Sequence, residues 1–189
     1  LPRDNYSVIA IGSSTGGTTI IEKILVELTL QSPGVVIVQH MPELFTKAFA
    51  NRINQFCRVL VKEAEDGDVI KPGVALIAPG GKHMAVMRKP TGYAVQVFDG
   101  DYVNRHKPSV DVLFNAVADH FQKDALGIIL TGMGKDGAKG LLRMKTLGAT
   151  TIAQAEEDCA VYGMPKAAKA MEAVEIELNS AQIAVALSR

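Results

Sequence analysis

Short, unbroken apolar runs, each ending in a polar or glycine-rich loop and followed by helical spacing, recur along this 189-residue chain and leave few folds open to it. Ser7–Ile11 enters the loop Gly12–Gly17, after which Ile20, Ile21, Ile24, Leu25 and Leu28 fall on one helical face. Val35–Val38 follows Gly34 and ends at Gln39, His40 and Pro42, and Leu44–Phe56 then has amphipathic helical spacing. A strand that is apolar at every position suits burial on both faces, as in a parallel sheet, and right-handed crossovers connect such β-α-β-α units.

The middle of the chain changes character. Val74–Ala78, Met84–Met87 and Tyr93–Phe98 are short strand-like runs separated by Pro-Gly-Gly and Lys-Pro-Thr-Gly turns, and the last two predict an antiparallel hairpin. Pro108–Phe121 resumes helical spacing, with Val110, Leu113, Phe114, Val117 and Phe121 on one side and Ser109 placed to cap it. Strand and helix then alternate to the end: Gly127–Leu130, Ala138–Leu147 (stopped by Gly148), Thr150–Ala153, Pro165–Met171, Val174–Leu178 and Ala181–Leu187, the last capped by Ser180. The expected fold is one doubly wound α/β domain over residues 7–189. Its sheet is mostly parallel, its layers are α/β/α, and a β-hairpin is inserted.

Composition narrows the function classes. With 20 basic and 20 acidic residues the formal net charge is zero, and nothing implies an electrostatic hold on nucleic acid or anionic lipid. No apolar stretch approaches the roughly 20 residues that span a bilayer, so membrane insertion is not expected. Cys57 and Cys159 are too few for a disulfide framework and point to a reducing, cytoplasmic setting. The first residue is not Met and residues 1–6 are polar with a proline; they read as a linker remnant of a longer protein, or as ordinary processing.

In an open parallel sheet, ligands bind beyond the carboxyl ends of the strands. Three strands release reactive side chains there: Ser14 within Gly12–Gly17, His40 after Gln39, and Asp136 within Thr131–Gly137. A serine hydroxyl needs a base to take its proton, imidazole suits that near neutrality, and a carboxylate on the far ring nitrogen holds the useful tautomer. The glycines around Ser14 leave backbone N–H groups free at a helix start, where an oxyanion is stabilised. Each part has a plainer reading. The loop equally suits a phosphate cradle, although it has neither P-loop nor G-x-G-x-x-G spacing. His40 can be structural, and Asp136 can cap the next helix. Neither HExxH nor CxxC occurs, so no metal set is expected, and ester hydrolysis by a triad needs no cofactor.

At these residues the sequence resembles the catalytic domain of the CheB family, the chemotaxis protein-glutamate methylesterases. The matching stretches are Ile9–Gly17, Gln39–Pro42, Ala78–Gly80, Asn104–Asp111, Leu130–Gly137 and Gly163–Pro165, in order through nearly the whole chain. The resemblance implies hydrolysis of glutamate γ-methyl esters on cytoplasmic helices of chemoreceptors, with methanol released, and deamidation of receptor glutamines. It places nucleophile, base and acid on Ser14, His40 and Asp136. Such proteins usually carry an amino-terminal receiver domain; it is missing ahead of Ser7, so the chain reads either as a catalytic fragment or as a member without that control. The backbone N–H groups of Thr15 and Met133 are reasonable oxyanion donors. His83, Arg105, His106 and Met164 are candidates for the cleft lining, and Arg105 either meets a receptor carboxylate or pairs within the fold. His120 reads as a surface residue and Cys57 as core.

Overall fold

A computed structural model describes residues 1–3 and 5–188; Asp4 of the expected linker remnant and Arg189 at the end of the expected domain lie outside the described residues. The elements, in chain order, are β1 (Val8–Ser13), α1 (Gly17–Leu25), β2 (Gly34–Gln39), α2 (Phe45–Asn54), β3 (Leu60–Glu63), β4 (Val69–Ile70), β5 (Val74–Ile77), β6 (His83–Lys89) and β7 (Gly92–Phe98). They continue with α3 (Val110–Phe121), β8 (Ala125–Ile129), α4 (Ala138–Thr146), β9 (Thr150–Gln154), α5 (Met164–Ala170), β10 (Ile176–Leu178) and α6 (Ser180–Leu187). Seven strands form one parallel sheet in the order β10-β9-β8-β1-β2-β5-β3.

The unbroken apolar runs are explained by two cores, one on each face. Along β1 and β2, Val8, Ala10, Val36 and Val38 face the side covered by α3, α4 and α5, while Ile9, Ile11, Val35 and Ile37 face α1, α2 and α6. Doubly wound α/β/α layering follows directly, as the sequence pattern predicts. The expected hairpin is present as β6–β7, paired antiparallel from His83 opposite Phe98 to Lys89 opposite Gly92. It belongs to a three-stranded sheet, because the two-residue β4 pairs with β7. β3, absent from the sequence reading, is the sheet edge, with Leu60 half exposed.

Two helix caps differ from expectation. Asn179, not Ser180, caps α6, accepting from the Gln182 N–H in a reciprocal capping box. Ser109 precedes α3 but makes no cap bond, because its hydroxyl is used elsewhere. Cys57 is only half-buried, against the core that contains α2.

The order in which strands are added reverses around β1: β2 lies on one side and β8, reached after the small sheet and α3, on the other. That is the switch point at which open α/β sheets bind ligands. The start of α3 is seated there on two glycines. A Cβ at Gly12 of β1 would lie 2.2 Å from Val110 Cγ1, and one at Gly137, whose φ is +97°, would lie 2.7 Å from the same atom. Gly12→Ala is therefore expected to cost about 1–3 kcal/mol by overpacking. Gly12→Ala combined with Val110→Ala should recover part of that loss, since the two changes share one contact. Urea unfolding of the two single variants and the double variant measures this coupling.

Candidate active site

Ser13 of β1 pairs with Gln39 of β2, so Ser14 and His40 leave the sheet side by side. The His40 N–H donates to the Ser13 carbonyl at 3.0 Å, and Gln39 Nε2 donates to the Ser14 carbonyl at 2.8 Å. On the other side, the Ser14 N–H donates to the Thr131 carbonyl at 3.0 Å, which ties the serine loop to the end of β8. Gly132 then packs against the loop: a Cβ there would meet Ser14 Cβ at 2.7 Å and Met164 Sδ at 2.3 Å. Close backbone approach is the reason that glycine is needed.

Asp136 follows β8 and is buried, yet it accepts five hydrogen bonds. Oδ2 takes His40 Nε2–H and the Val110 N–H, both at 2.7 Å. Oδ1 takes the Ser109 hydroxyl and Asn104 Nδ2, each at 2.8 Å, and the Asp111 N–H at 3.2 Å. Burial pushes this carboxyl up, but the bonds from His40, Asn104, Val110 and Ser109 outweigh it and hold Asp136 at about 2. Asp111 differs although it lies beside it. Burial raises its carboxyl, the nearby Asp136 charge adds to the rise, and the Gly140 N–H and Asn104 oppose it.

The imidazole of His40 is thus held by Nε2. Its Nδ1 is buried and makes no hydrogen bond among the described residues. In a neutral ring whose Nε2 proton is given to Asp136, the lone pair falls on Nδ1, the arrangement a general base requires. The Ser14 hydroxyl, on a residue 9% exposed, makes no hydrogen bond among the described residues. Ser14 and His40 thus leave adjacent strand ends with no hydrogen bond between their side chains. His106 stacks flat on His40, with centroids 3.6 Å apart and planes 6° from parallel. Burial first, and His40 next, lower the His106 pKa.

Ser14, Thr15, Asn104, Met133, Lys135 and Asp136 line one cleft, which Arg105 and His106 share with a second cleft lined by His40 and Glu43. The N–H groups of Thr15 and Met133 make no hydrogen bond among the described residues, and Met133 sits exposed at the lip. Two expected lining residues are not in the cleft. His83 is 2% exposed; its Nε2 donates to the Asp101 carbonyl at 2.7 Å and its Nδ1 accepts from the Ser109 N–H at 3.2 Å, so it is a strut beneath α3. Met164 is fully buried behind Gly132. His120 is exposed on α3, as its spacing predicts. Burial and the neighbouring acids raise the Cys159 thiol to about 11, which disfavours it as a nucleophile. A larger cavity, of about 820 Å³, lies by α6 and the first residues; its lining includes Tyr6, Ile9 and Val185 but neither serine, histidine nor cysteine.

The sequence reading missed the donors around Asp136. Asn104, Ser109 and Asp111 all lie within one of the stretches that carry the family resemblance, but nothing local shows that they meet a carboxylate 25 to 32 residues away.

The family model described as CheB methylesterase matches residues 9–187. The chain belongs to that family. It is 56% identical over 176 residues to protein-glutamate methylesterase/protein-glutamine glutaminase 3 of Leptospira interrogans, covering 93% of this chain and 51% of that protein. It is 53% identical over 176 residues to the protein of the same name, unnumbered, from Salmonella typhi, covering 93% and 50%. The chain spans about half the length of the curated relatives it matches. The crystal structure of the Thermotoga maritima CheB methylesterase catalytic domain superposes with a TM-score of 0.93 at 36% identity, covering 98% of each chain. No helix among the described residues is long and apolar enough to cross a membrane.

The depressed Asp136 pKa makes stability depend on acid. Its folded value lies below the unfolded value near 3.9, so its contribution is present above that pH and is lost as pH falls toward 2. Wild-type protein should lose about 2 kcal/mol through Asp136 over that window. Asp136→Asn should lack this component, so the stability gap between the two proteins narrows between pH 5 and 2, as measured by urea unfolding at each pH.

Proposed function

We propose that this chain hydrolyses γ-methyl esters of glutamate on the cytoplasmic helices of methyl-accepting chemoreceptors, with Ser14 as nucleophile, His40 as general base and Asp136 as acid. The observation that carries this reading is the His40 ring, bound to Asp136 through Nε2 and left with a buried, unpartnered Nδ1 beside the Ser14 loop. A buried polar atom without a partner calls for an explanation, and a lone pair awaiting the Ser14 proton supplies one.

In the proposed reaction, Ser14 Oγ attacks the ester carbonyl while His40 Nδ1 takes its proton. The carbonyl oxygen becomes an oxyanion held by the N–H groups of Thr15 and Met133; losing one such donor typically costs about 2.7–4 kcal/mol. His40 returns the proton to the methoxide as methanol leaves, forming an acyl ester on Ser14. Water, deprotonated by His40, then attacks the acyl ester; as the bond to Ser14 Oγ breaks, His40 returns the proton to that oxygen and glutamate leaves. Asp136 stabilises the imidazolium at each stage without itself being protonated, in keeping with its low pKa. The three side chains suffice for this chemistry, and no step calls for a metal or cofactor. The same acyl chemistry on glutamine would release ammonia, and the double names of the relatives favour a glutaminase activity as well.

In the same reading the enzyme works in the cytoplasm in chemotaxis adaptation. Residues 7–189 form its catalytic domain. Ser14→Ala is expected to lower kcat on the order of 10⁶-fold by analogy with other triads, with the fold intact. Methanol and ammonia released from methylated and amidated receptor fragments measure both activities. Methanol release by the variant at the wild-type rate would remove Ser14 from the mechanism.

A further inference from the structure

Val103 and His106 exchange both backbone hydrogen bonds, at 3.0 and 2.9 Å, which makes Asn104 and Arg105 the central pair of a two-residue turn. Both have positive φ, 52° for Asn104 and 65° for Arg105. Turns of this kind favour Asn followed by Gly. Asn104 fits, whereas Arg105 occupies the glycine-favoured place, at a cost of about 1–2 kcal/mol. Strain held at a cleft is a reason to ask what the side chain does there.

The turn is anchored on both sides. Asn104 Nδ2 donates to Asp111 at 2.7 Å and to Asp136 at 2.8 Å, and His106 lies flat on His40. Arg105 itself is exposed and makes no ion pair or hydrogen bond among the described residues. It lines both the Ser14 cleft, of about 580 Å³, and the His40 cleft, of about 380 Å³. Pairing within the fold, the plain alternative for Arg105, is thereby absent among the described residues. Among the described residues, the Ser14 cleft has a second exposed cation without an ion pair, Lys135, and the one carboxylate lining it, Asp136, is buried and bonded. The second cleft holds Glu43, but its Lys107 is neutralised by Asp99 at 2.8 Å.

We propose that Arg105 is a specificity-determining residue, which pairs with a carboxylate on the substrate polypeptide next to the reacting glutamyl group. This rests on the methylesterase reading of the site. The reacting ester is neutral and offers a guanidinium little, so the partner is a second acidic side chain. On a helix that means one three or four residues away, within reach when the scissile ester sits at Ser14. A planar guanidinium binds a carboxylate through two parallel hydrogen bonds, which adds orientation to affinity.

The test uses two synthetic helical fragments, each with one glutamate methyl ester and either Glu or Gln four residues away. Arg105→Gly suits the backbone and should fold at least as stably as wild type. It should raise KM for the Glu fragment roughly tenfold, leave kcat within about twofold, and barely change KM for the Gln fragment. Arg105→Gln, which keeps a side chain on the turn, should lose the same preference. Equal losses on both fragments, a fall in kcat alone, or no change in either variant would overturn the assignment. Binding of both fragments to Ser14→Ala protein, with and without Arg105→Gly, gives a reading independent of turnover. If wild-type protein hydrolyses neither fragment, the reaction proposal fails, and the binding difference still decides the role of Arg105.

Discussion

A buried carboxylate is expensive unless its lone pairs are filled, and much of the architecture around the site is organised by filling those of Asp136. Its five donors come from the end of β2, the turn before α3, the residue preceding α3, and the first two residues of α3. The free N–H groups at a helix start need acceptors, and here a side chain from another loop provides one. One carboxylate therefore satisfies α3 and holds His40. That also explains why Ser109 does not cap its own helix: the hydroxyl satisfies Asp136 instead.

This arrangement requires α3 to sit close to β1, and the glycines supply that approach. Val110 occupies the space where Gly12 and Gly137 lack a Cβ, which brings its own N–H and that of Asp111 onto Asp136. The opposite face of the sheet has no such demand and is filled by Ile9, Ile11, Ile21, Ile24 and other large side chains. One layer therefore carries the polar network, and the other is closed by ordinary apolar packing. Asp111 marks the limit of the scheme. A second carboxylate in the same polar cluster is raised by burial while Asp136 is lowered, because it receives fewer donors and feels its neighbour's charge.

The sheet was legible because burial on both faces leaves an unbroken apolar signal, and strand-end logic then placed Ser14, His40 and Asp136 on one edge. β3 and β4 escaped because an edge strand with Lys62 and Glu63, and a two-residue strand, carry no such signal. The partners of Asp136 escaped for another reason. A serine before a helix, an acid in its first turn and an asparagine in a turn all have sufficient local explanations, and only the folded chain shows that they converge. His83 misled in the opposite sense. A histidine near two glycines suggests a cleft, but its position at the start of β6 turns the ring under α3, where backbone groups occupy both nitrogens.

Positioning and recognition meet in the three residues Asn104, Arg105 and His106. Asn104 is bonded to the carboxylate and His106 is stacked on the imidazole that the carboxylate holds, so the residue between them is fixed relative to both. A group that contacts substrate from that place sets the distance between its contact and the nucleophile with little freedom to lose. Rates of positioned reactions are sensitive to displacements of about 1 Å, and a flexible lysine on a free loop would not provide that register. The strain at Arg105 is then intelligible. A glycine would make the easier turn, but it would leave this anchored part of the cleft rim with no side chain to offer a substrate.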